Sequence, residues 1–417
     1  MFVRRVAVIM AAMSENDLFQ AALGPLAPWL VQRCAFDEAV GRLDIHLDFP
    51  RGSVFACPLC GTPGKAYDTD QMTWRHLDFF QHQACLHART PRVECPQCGV
   101  RRASVPWARP GSGFTLLFEA FVMMLAKSAP VSAAARLVRE HDTLVWRIVT
   151  HYVDAARAQA HHSAVAQVGV DETASRRGYN YMSLFVDLQL RKVLFAAPGK
   201  DASTVGSFAR DLQLHGGDAL AVTEVSADMS QAFSKGVAEH LPNAQITFDK
   251  FHVVSLVGTA VEQVRRLEQK SRPELSGTHF AWLSNPANLS PKQSAQIDAL
   301  CLPASHLKTA RAYQIRLSFQ DLFKQPAEQA EAYLDKWYFW ATHSRLPPIV
   351  AVAKTVRKHQ QGILRWFVSG VNNGILEGIN SLVQAAKAKA RGYRSNRNLA
   401  TIIYLIAGKL NLPHLPT

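Results

Sequence analysis

The sequence predicts a multidomain α/β protein, and three observations carry that prediction. Two CxxC pairs, Cys57 with Cys60 and Cys95 with Cys98, sit early in the chain with strand-like runs between them. From residue 165 short apolar runs alternate with helical patterns, and acids close two of the runs. Helical periodicity then holds to the C-terminus and includes a basic amphipathic segment with a single acid, Glu377. The expected division is an N-terminal segment over 1–50, a cysteine ribbon over 51–110, a helix pair over 111–162, an α/β domain in two parts over 163–254 and 366–417, and a helical insertion over 255–365.

A chain of 417 residues with 48% hydrophobic residues and a mean hydropathy of −0.05 can bury several cores. No apolar run approaches the roughly 18 residues that a membrane span requires, which argues against a membrane partner. The net charge of +13 instead points to a polyanion, nucleic acid before lipid. That charge is uneven: residues 165–254 hold eight Lys/Arg against ten Asp/Glu, whereas 354–397 hold nine against Glu377 alone. A basic flank beside an acidic centre suits an enzyme that grips phosphate and does metal chemistry on it. Seven cysteines, four of them in CxxC pairs, favour metal binding in a reducing cytoplasm over a disulfide framework. The start, MFVRRVAVIMAAMS, imitates a secretory leader without a convincing cleavage site; Met13 is an alternative start to Met1, and it would make 1–12 an extension. No GxxxxGK[ST] phosphate loop is present, which removes a nucleotide-driven motor from consideration.

Taken in order, residues 14–50 show weak helical patterning and then alternation in RLDIHLDF, with no chemistry to assign. Each cysteine pair is a knuckle whose two thiolates bind one tetrahedral zinc, the adjacent Pro and Gly enforcing the tight turn. Two knuckles complete a structural zinc site, and WRHLDFF and QACLHARTPRVEC between them read as a hairpin. His76, His82, Cys85 and His87 lie in the same interval and remain alternative ligands. Arg101 and Arg102, with Arg89, Arg92 and Arg109, crowd the second knuckle and suggest a DNA-facing ribbon or a solvated surface. FTLLFEAFVMMLAK is a buried helix, and VSAAARLVREHDTLVWRIVTHYV reads as helix, turn and helix, with Ser132 and Asp142 or Thr143 as expected caps. This is a candidate helix-turn-helix whose second helix offers Trp146, Arg147, Thr150 and His151 to a major groove; a plain helical hairpin is the alternative.

The next block gives three strands, helix, strand, helix, strand, with Asp171 and Asp228 at the ends of the first and fourth strands and Asp249 and His252 after the last. Carboxylates at the ends of neighbouring buried strands converge, and their mutual repulsion is relieved most simply by divalent cations. Asp228 has a rival use as a helix cap near Ser230. Proline-broken helices fill 255–362, where the aromatic run KWYFWATH reads as core. In GILEGINSLVQAAKAKAR the expected apolar stripe is Ile375, Ile379, Leu382, Val383, Ala386 and Ala390, opposite Glu377, Asn380, Gln384, Lys387 and Arg391.

With these residues assembled, the chain resembles the DDE transposases of the ISL3 insertion-sequence family over nearly its whole length. The likeness rests on VGVDET at Asp171, SADMSQAF at Asp228, FDKFHVV from Asp249 to His252, and GILEGINSLVQAAKAKARGYRSNRN, the most specific of the four. The resemblance implies a ribonuclease-H-like mixed sheet with a helical insertion, preceded by a zinc ribbon and a helix-turn-helix. It implies a catalytic triad of Asp171, Asp228 and Glu377 holding two Mg or Mn ions, with Asp249 and His252 in support. It further implies cleavage at the ends of an insertion sequence and transfer of those ends to target DNA. Double-stranded DNA, both terminal inverted repeats and target, would be the partner, held in part by Lys387, Lys389, Arg391 and Arg394. A homodimer or larger assembly and a place on the bacterial nucleoid follow from pairing two ends. A nuclease without joining activity and a non-catalytic DNA-binding regulator are the alternatives; intact acids at all three positions count against the second.

Overall fold

The computed structural model describes residues 14–24, 27–176, 178, 180–371 and 374–413. The extension expected at 1–12 lies outside the described residues. Two compact units result, Met1–Tyr152 with Asn411–Thr417, and Val153–Leu410.

In the first unit Ser14 and Asp17 form a capping box that starts helix α1, Glu15–Leu23. Strands β1 (Leu30–Asp37), β2 (Arg42–Asp48), β3 (Val54–Ala56), β4 (Pro63–Phe79), β5 (His82–Cys95) and β6 (Gly99–Arg102) follow. They form one sheet of order β1-β2-β5-β4-β3, with β6 on β5. Strict alternation in β2 buries Leu43, Ile45 and Leu47 on one face. Residues 30–48 are thus not a segment apart, because β2 runs parallel to β5 from Arg42 opposite Gln83 to Leu47 opposite Ala88. The core is aromatic: Trp29, Phe49, Phe55, Trp74 and Trp107 pack edge-on or tilted with centroids 4.7 to 5.8 Å apart.

Helices α2 (Leu116–Ser128) and α3 (Val131–Val138) come next, then α4 (Asp142–Ala158), which begins in this unit. The caps differ from expectation. Pro130, not Ser132, holds the N-cap position of α3, and the Thr143 N–H donates to His141 Nδ1 at 3.3 Å. The acid in the expected apolar helix, Glu119, is fully buried and satisfied, pairing with Arg109 at 3.0 Å and accepting from Ser112 Oγ and Tyr152 OH at 2.7 Å.

The second unit is organised on strands β7 (Gln167–Ala174), β8 (Tyr181–Asp187) and β9 (Lys192–Pro198), helix α5 (Ala202–Leu214), strand β10 (Glu224–Ala227), helix α6 (Gln231–His240) and strand β11 (Gln245–Phe248). The sheet order is β11-β10-β7-β8-β9. Strands β7, β8 and β9 pair antiparallel, whereas β7, β10 and β11 run parallel, which is the ribonuclease-H-like mixed sheet. Strand β11 is shorter than the sequence suggests: it stops at Phe248, and Asp249 becomes the N-cap of α7, Lys250–Gln269. The insertion continues through α8 (His279–Leu283), α9 (Pro291–Leu300), α10 (Lys308–Leu322), α11 (Ala327–Thr342) and α12 (Pro347–Lys358). Its core holds Trp282, Tyr313, Phe319 and Trp337. Only part of KWYFWATH is core, since Trp337 is buried and Phe339 is 65% exposed. Short helices α13 (Gln360–Leu364) and α14 (Trp366–Ser369) lead to α15 (Gly374–Lys389), and α16 (Asn396–Ala407) closes the unit.

Candidate active site

The knuckles come together as expected. Cys57, Cys60, Cys95 and Cys98 present sulfurs that all lie within 4.8 Å of one another. A tetrahedral zinc with sulfurs at about 2.3 Å requires sulfur separations of about 3.8 Å, and Cys60 Sγ lies 3.4 Å from Cys95 Sγ. Gly61 and Gly99, one after each pair, take φ of +75° and +73°, the left-handed turn a knuckle needs. Thr62 holds the Cys60 thiol down at about 6, whereas contact with Cys60 pushes Cys98 up to about 12. Crowded thiols divided in this way are a donor set suited to a divalent cation, and the four cysteines fit structural zinc. His76 is engaged with Thr115 at 2.9 Å and His87 with Asp44 at 2.7 Å, which takes both out of the ligand set.

The acids of the second unit are aligned by strand register. Ser226 of β10 pairs with Gly169 of β7, and Ala227 of β10 pairs with Phe248 of β11. Counting on past the last paired residues, Asp228 comes level with both Asp171 and Asp249, so three aspartates form a row about 4.8 Å apart per strand. Asp228 and Asp249 directly follow β10 and β11, whereas Asp171, expected at a strand end, lies inside β7 opposite Leu184 of β8. Burial foremost, then the neighbouring Asp228 and Asp249, pushes the Asp171 carboxyl above its ordinary range. Glu172, to which the sequence reading gives no role, is raised in the same way by burial and by Asp228. His252 lies 2.9 Å from the buried Asp249, and that contact raises its basicity. Asp228 does not cap α6, whose N-cap is Ser230, but accepts from the Ser230 N–H at 2.9 Å.

Glu377 reaches this region from α15. Leu376 packs its Cδ1 where a Cβ on Gly169 would stand, so α15 rides directly on β7. The buried stripe is Leu376, Ile379 and Val383; Leu382, expected in it, is exposed. The polar face is a docking face as well. Asn380 Nδ2 donates to Asp171 Oδ2 at 2.5 Å, Gln384 donates to Thr173 and to the Ala174 carbonyl, and Lys387 donates to that same carbonyl. Glu377, one turn before Asn380, is exposed and shares with Asp249 the lining of a cleft of about 1090 Å³ that also presents Lys250, Phe251 and Trp366. Among the described residues no set of carboxylates is gathered as tightly as the cysteines. In chemical type the acid groups nonetheless fit a hard divalent cation, and the buried Asn380 Oδ1, which lacks a hydrogen-bond partner, adds a neutral oxygen to them.

The cationic candidates divide by partner. Arg102 pairs with Asp70 at 2.6 Å, Arg89 with Asp48 at 2.7 Å, and Arg92 with Asp68, whereas Arg101 is exposed with no ion pair among the described residues. On α4, Trp146 is half-buried and Arg147 exposed, the latter lining a cavity of about 490 Å³ with Arg42, Arg75 and Arg109. Lys389, Arg391 and Arg394 are exposed. Arg391, at φ +56°, lies past the end of α15 and not on its face. No helix among the described residues is long and apolar enough to cross a membrane.

Comparison with known proteins follows these divisions. A family model described as a transposase, of the ISL3 type, matches residues 168–403, more than half of the chain. Models for the helix-turn-helix domain of transposase family ISL3 and for the zinc-finger of transposase IS204/IS1001/IS1096/IS1165 match residues 103–153 and 53–98. The transposase for insertion sequence element IS1557 of Mycobacterium tuberculosis is 29% identical over 445 residues, covering 97% of both chains. The transposase for insertion sequence element IS1001 of Bordetella parapertussis is 29% identical over 398 residues, 92% of this chain and 96% of that one. A chain of the simian T-cell lymphotropic virus intasome in complex with PP2A regulatory subunit B56 gamma aligns over 43% of this chain and 64% of its own at 16% identity, with a TM-score of 0.18 that carries no structural argument.

Proposed function

The chain belongs to the ISL3 family of transposases, and we propose that it binds the terminal inverted repeats of an insertion sequence, cleaves the 3′ phosphodiester at each end and joins the ends to target DNA, with Asp171, Asp228 and Glu377 holding two Mg or Mn ions. The observation that carries this reading is the register that sets Asp171 of β7 level with Asp228 just past β10, with α15 docked on β7. Ions bound there would turn water, and then the freed 3′ hydroxyl, into nucleophiles and would take up charge on the oxygens of an in-line displacement. Asp171 and Asp228 supply the fixed side of the site, Glu377 the side nearest the open cleft. His252, made more basic by Asp249, offsets part of the negative charge of the row.

The first unit and the basic end of α15 grip the DNA. Trp146 and Arg147 on α4 read the groove, Arg101 and Arg102 extend the grip from the zinc ribbon, and Lys389, Arg391 and Arg394 follow the substrate backbone, with Lys387 held on the Ala174 carbonyl at their start. The domain limits given above assign recognition to 51–162, catalysis to 163–254 with 366–417, and a spacer of helices to 255–365. Two ends must be cut together, so a homodimer or larger assembly on the nucleoid is part of the proposal.

The test is cleavage and joining of end DNA by the purified protein with Mg or Mn. Asp228→Asn should lower the rate about a thousandfold, as expected for a ligand contributing ~4 kcal/mol to the transition state, while end binding persists. A wild-type protein that neither nicks nor joins, or an Asp228→Asn variant as fast as wild type, overturns the assignment.

A further inference from the structure

Asn380 makes the one direct hydrogen bond described between α15 and the aspartate row, and only half of its amide is used. Its Nδ2 donates to Asp171 Oδ2 at 2.5 Å, while the Glu172 N–H donates to Asp171 Oδ1 at 2.7 Å. Each oxygen of Asp171 is fixed by one donor and keeps a free lone pair, since a carboxylate has about four acceptor sites. The other half of the amide, Oδ1, is buried with no hydrogen-bond partner. A buried carbonyl oxygen in that state is unfavourable unless a donor or a cation completes it.

We infer that Asn380 is a positioning residue for divalent-cation binding: its N–H sets the plane of the Asp171 carboxylate, and its carbonyl oxygen is completed by the cation's own coordination sphere. The inference rests on the metal site proposed above and names a group beyond its three acids. Because Glu377 lies one turn earlier on α15, the same bond also sets how far Glu377 stands from the aspartate row. A rival explanation is that Asn380 only docks the helix. Gln384 discriminates between the two, since it bonds Thr173 and the Ala174 carbonyl on the same strand.

The experiment is a Mn titration of the full-length, zinc-loaded protein without DNA, followed by electron paramagnetic resonance of the free ion. Outer-shell partners of metal ligands typically change affinity 10–100-fold when removed, so Asn380→Ala and the better space-filling Asn380→Leu should raise the Kd for Mn by roughly that factor, whereas Gln384→Ala should leave it near the wild-type value. Circular dichroism confirms that each variant is folded, and the leucine variant keeps the test open if the alanine one is not. Asn380→Leu binding Mn as wild type does, or Gln384→Ala weakening it equally, overturns the inference. Asp171→Asn separates the two levels: if it too binds as wild type, the metal site itself is misplaced and both readings fall. If it loses Mn while Asn380→Leu does not, only the role of Asn380 falls.

Discussion

A Cβ on Gly169 would stand 2.6 Å from Leu376 Cδ1 and 2.8 Å from Leu188 Cδ2, both far inside normal contact. Leu376 is 1% exposed and has nowhere to retreat, so the missing side chain at 169 is what lets α15 lie on β7. Gly169→Ala should therefore destabilise the protein by about 1–3 kcal/mol through overpacking, read as a lower urea midpoint. Cleavage should fall further than the lost folded fraction explains, because Glu377 and Asn380 move with the helix. An unchanged midpoint would mean that α15 is not seated on β7. A second residue sets an acid dependence. Glu262 pairs with Arg265 and Arg266 at 2.7 Å and with His279 at 2.8 Å, and the Arg265 guanidinium foremost holds its carboxyl down at about 2 against an ordinary 4.5. A lowered carboxyl stabilises the fold above the unfolded value and loses that contribution as the pH falls toward 2. Glu262→Gln, which leaves the buried Arg265 unpaired, should cost on the order of 3 kcal/mol at neutral pH, and the gap in stability between variant and wild type should close in strong acid.

Among the elements, the β4–β5 hairpin depends on its metal clasp. Both knuckles lie at its base, Cys57 and Cys60 just before β4, and Cys95 at the end of β5 with Cys98 one turn on. One zinc per chain is the expected content by elemental analysis. Cys95→Ser should lose that zinc and with it most affinity for end DNA, since a closed thiolate site contributes folding free energy directly; zinc-free protein that binds ends normally would exclude the clasp. The hairpin was legible because CxxC spacing and strand alternation are local signals. The pairing of β2 with β5 was not, since parallel register between residues 42–47 and 83–88 leaves no local trace. Asp171 and Asp228 were likewise readable as acids closing apolar runs, whereas the alignment of Asp249 with them depends on β11 ending at Phe248. On α15 the hydrophobic pattern is right at Ile379 and Val383 but takes Ile375 and Leu382 into the stripe and misses Leu376. Part of that helix is docked by Asn380, Gln384 and Lys387, and apolar periodicity cannot see docking through hydrogen bonds.

For the whole molecule the decisive quantity is where its excess positive charge meets DNA. The chain carries +13, and 354–397 holds nine cations against Glu377, so the end of α15 is the densest basic stretch. Lys387 is committed to the Ala174 carbonyl, and Arg365 and Arg397 pair with Glu224 and Asp154. Lys389, Arg391 and Arg394, at and just past the end of α15, are exposed and are the cations proposed to neutralise phosphates. Each phosphate contact releases condensed counterion and contributes about 0.9 to the slope of log K against log salt. Replacing all three by alanine should thus lower that slope by about 2.7 if every one of them touches backbone, with the loss similar on end DNA and on unrelated DNA. Arg147→Ala should behave differently, weakening end DNA by roughly 1–3 kcal/mol while changing unrelated DNA little, because a base contact discriminates and a phosphate contact does not. Fluorescence anisotropy across a salt series on both DNAs measures the two effects together. A triple variant with an unchanged slope would remove α15 and its following loop from the DNA path, and the basic charge would then serve only solubility.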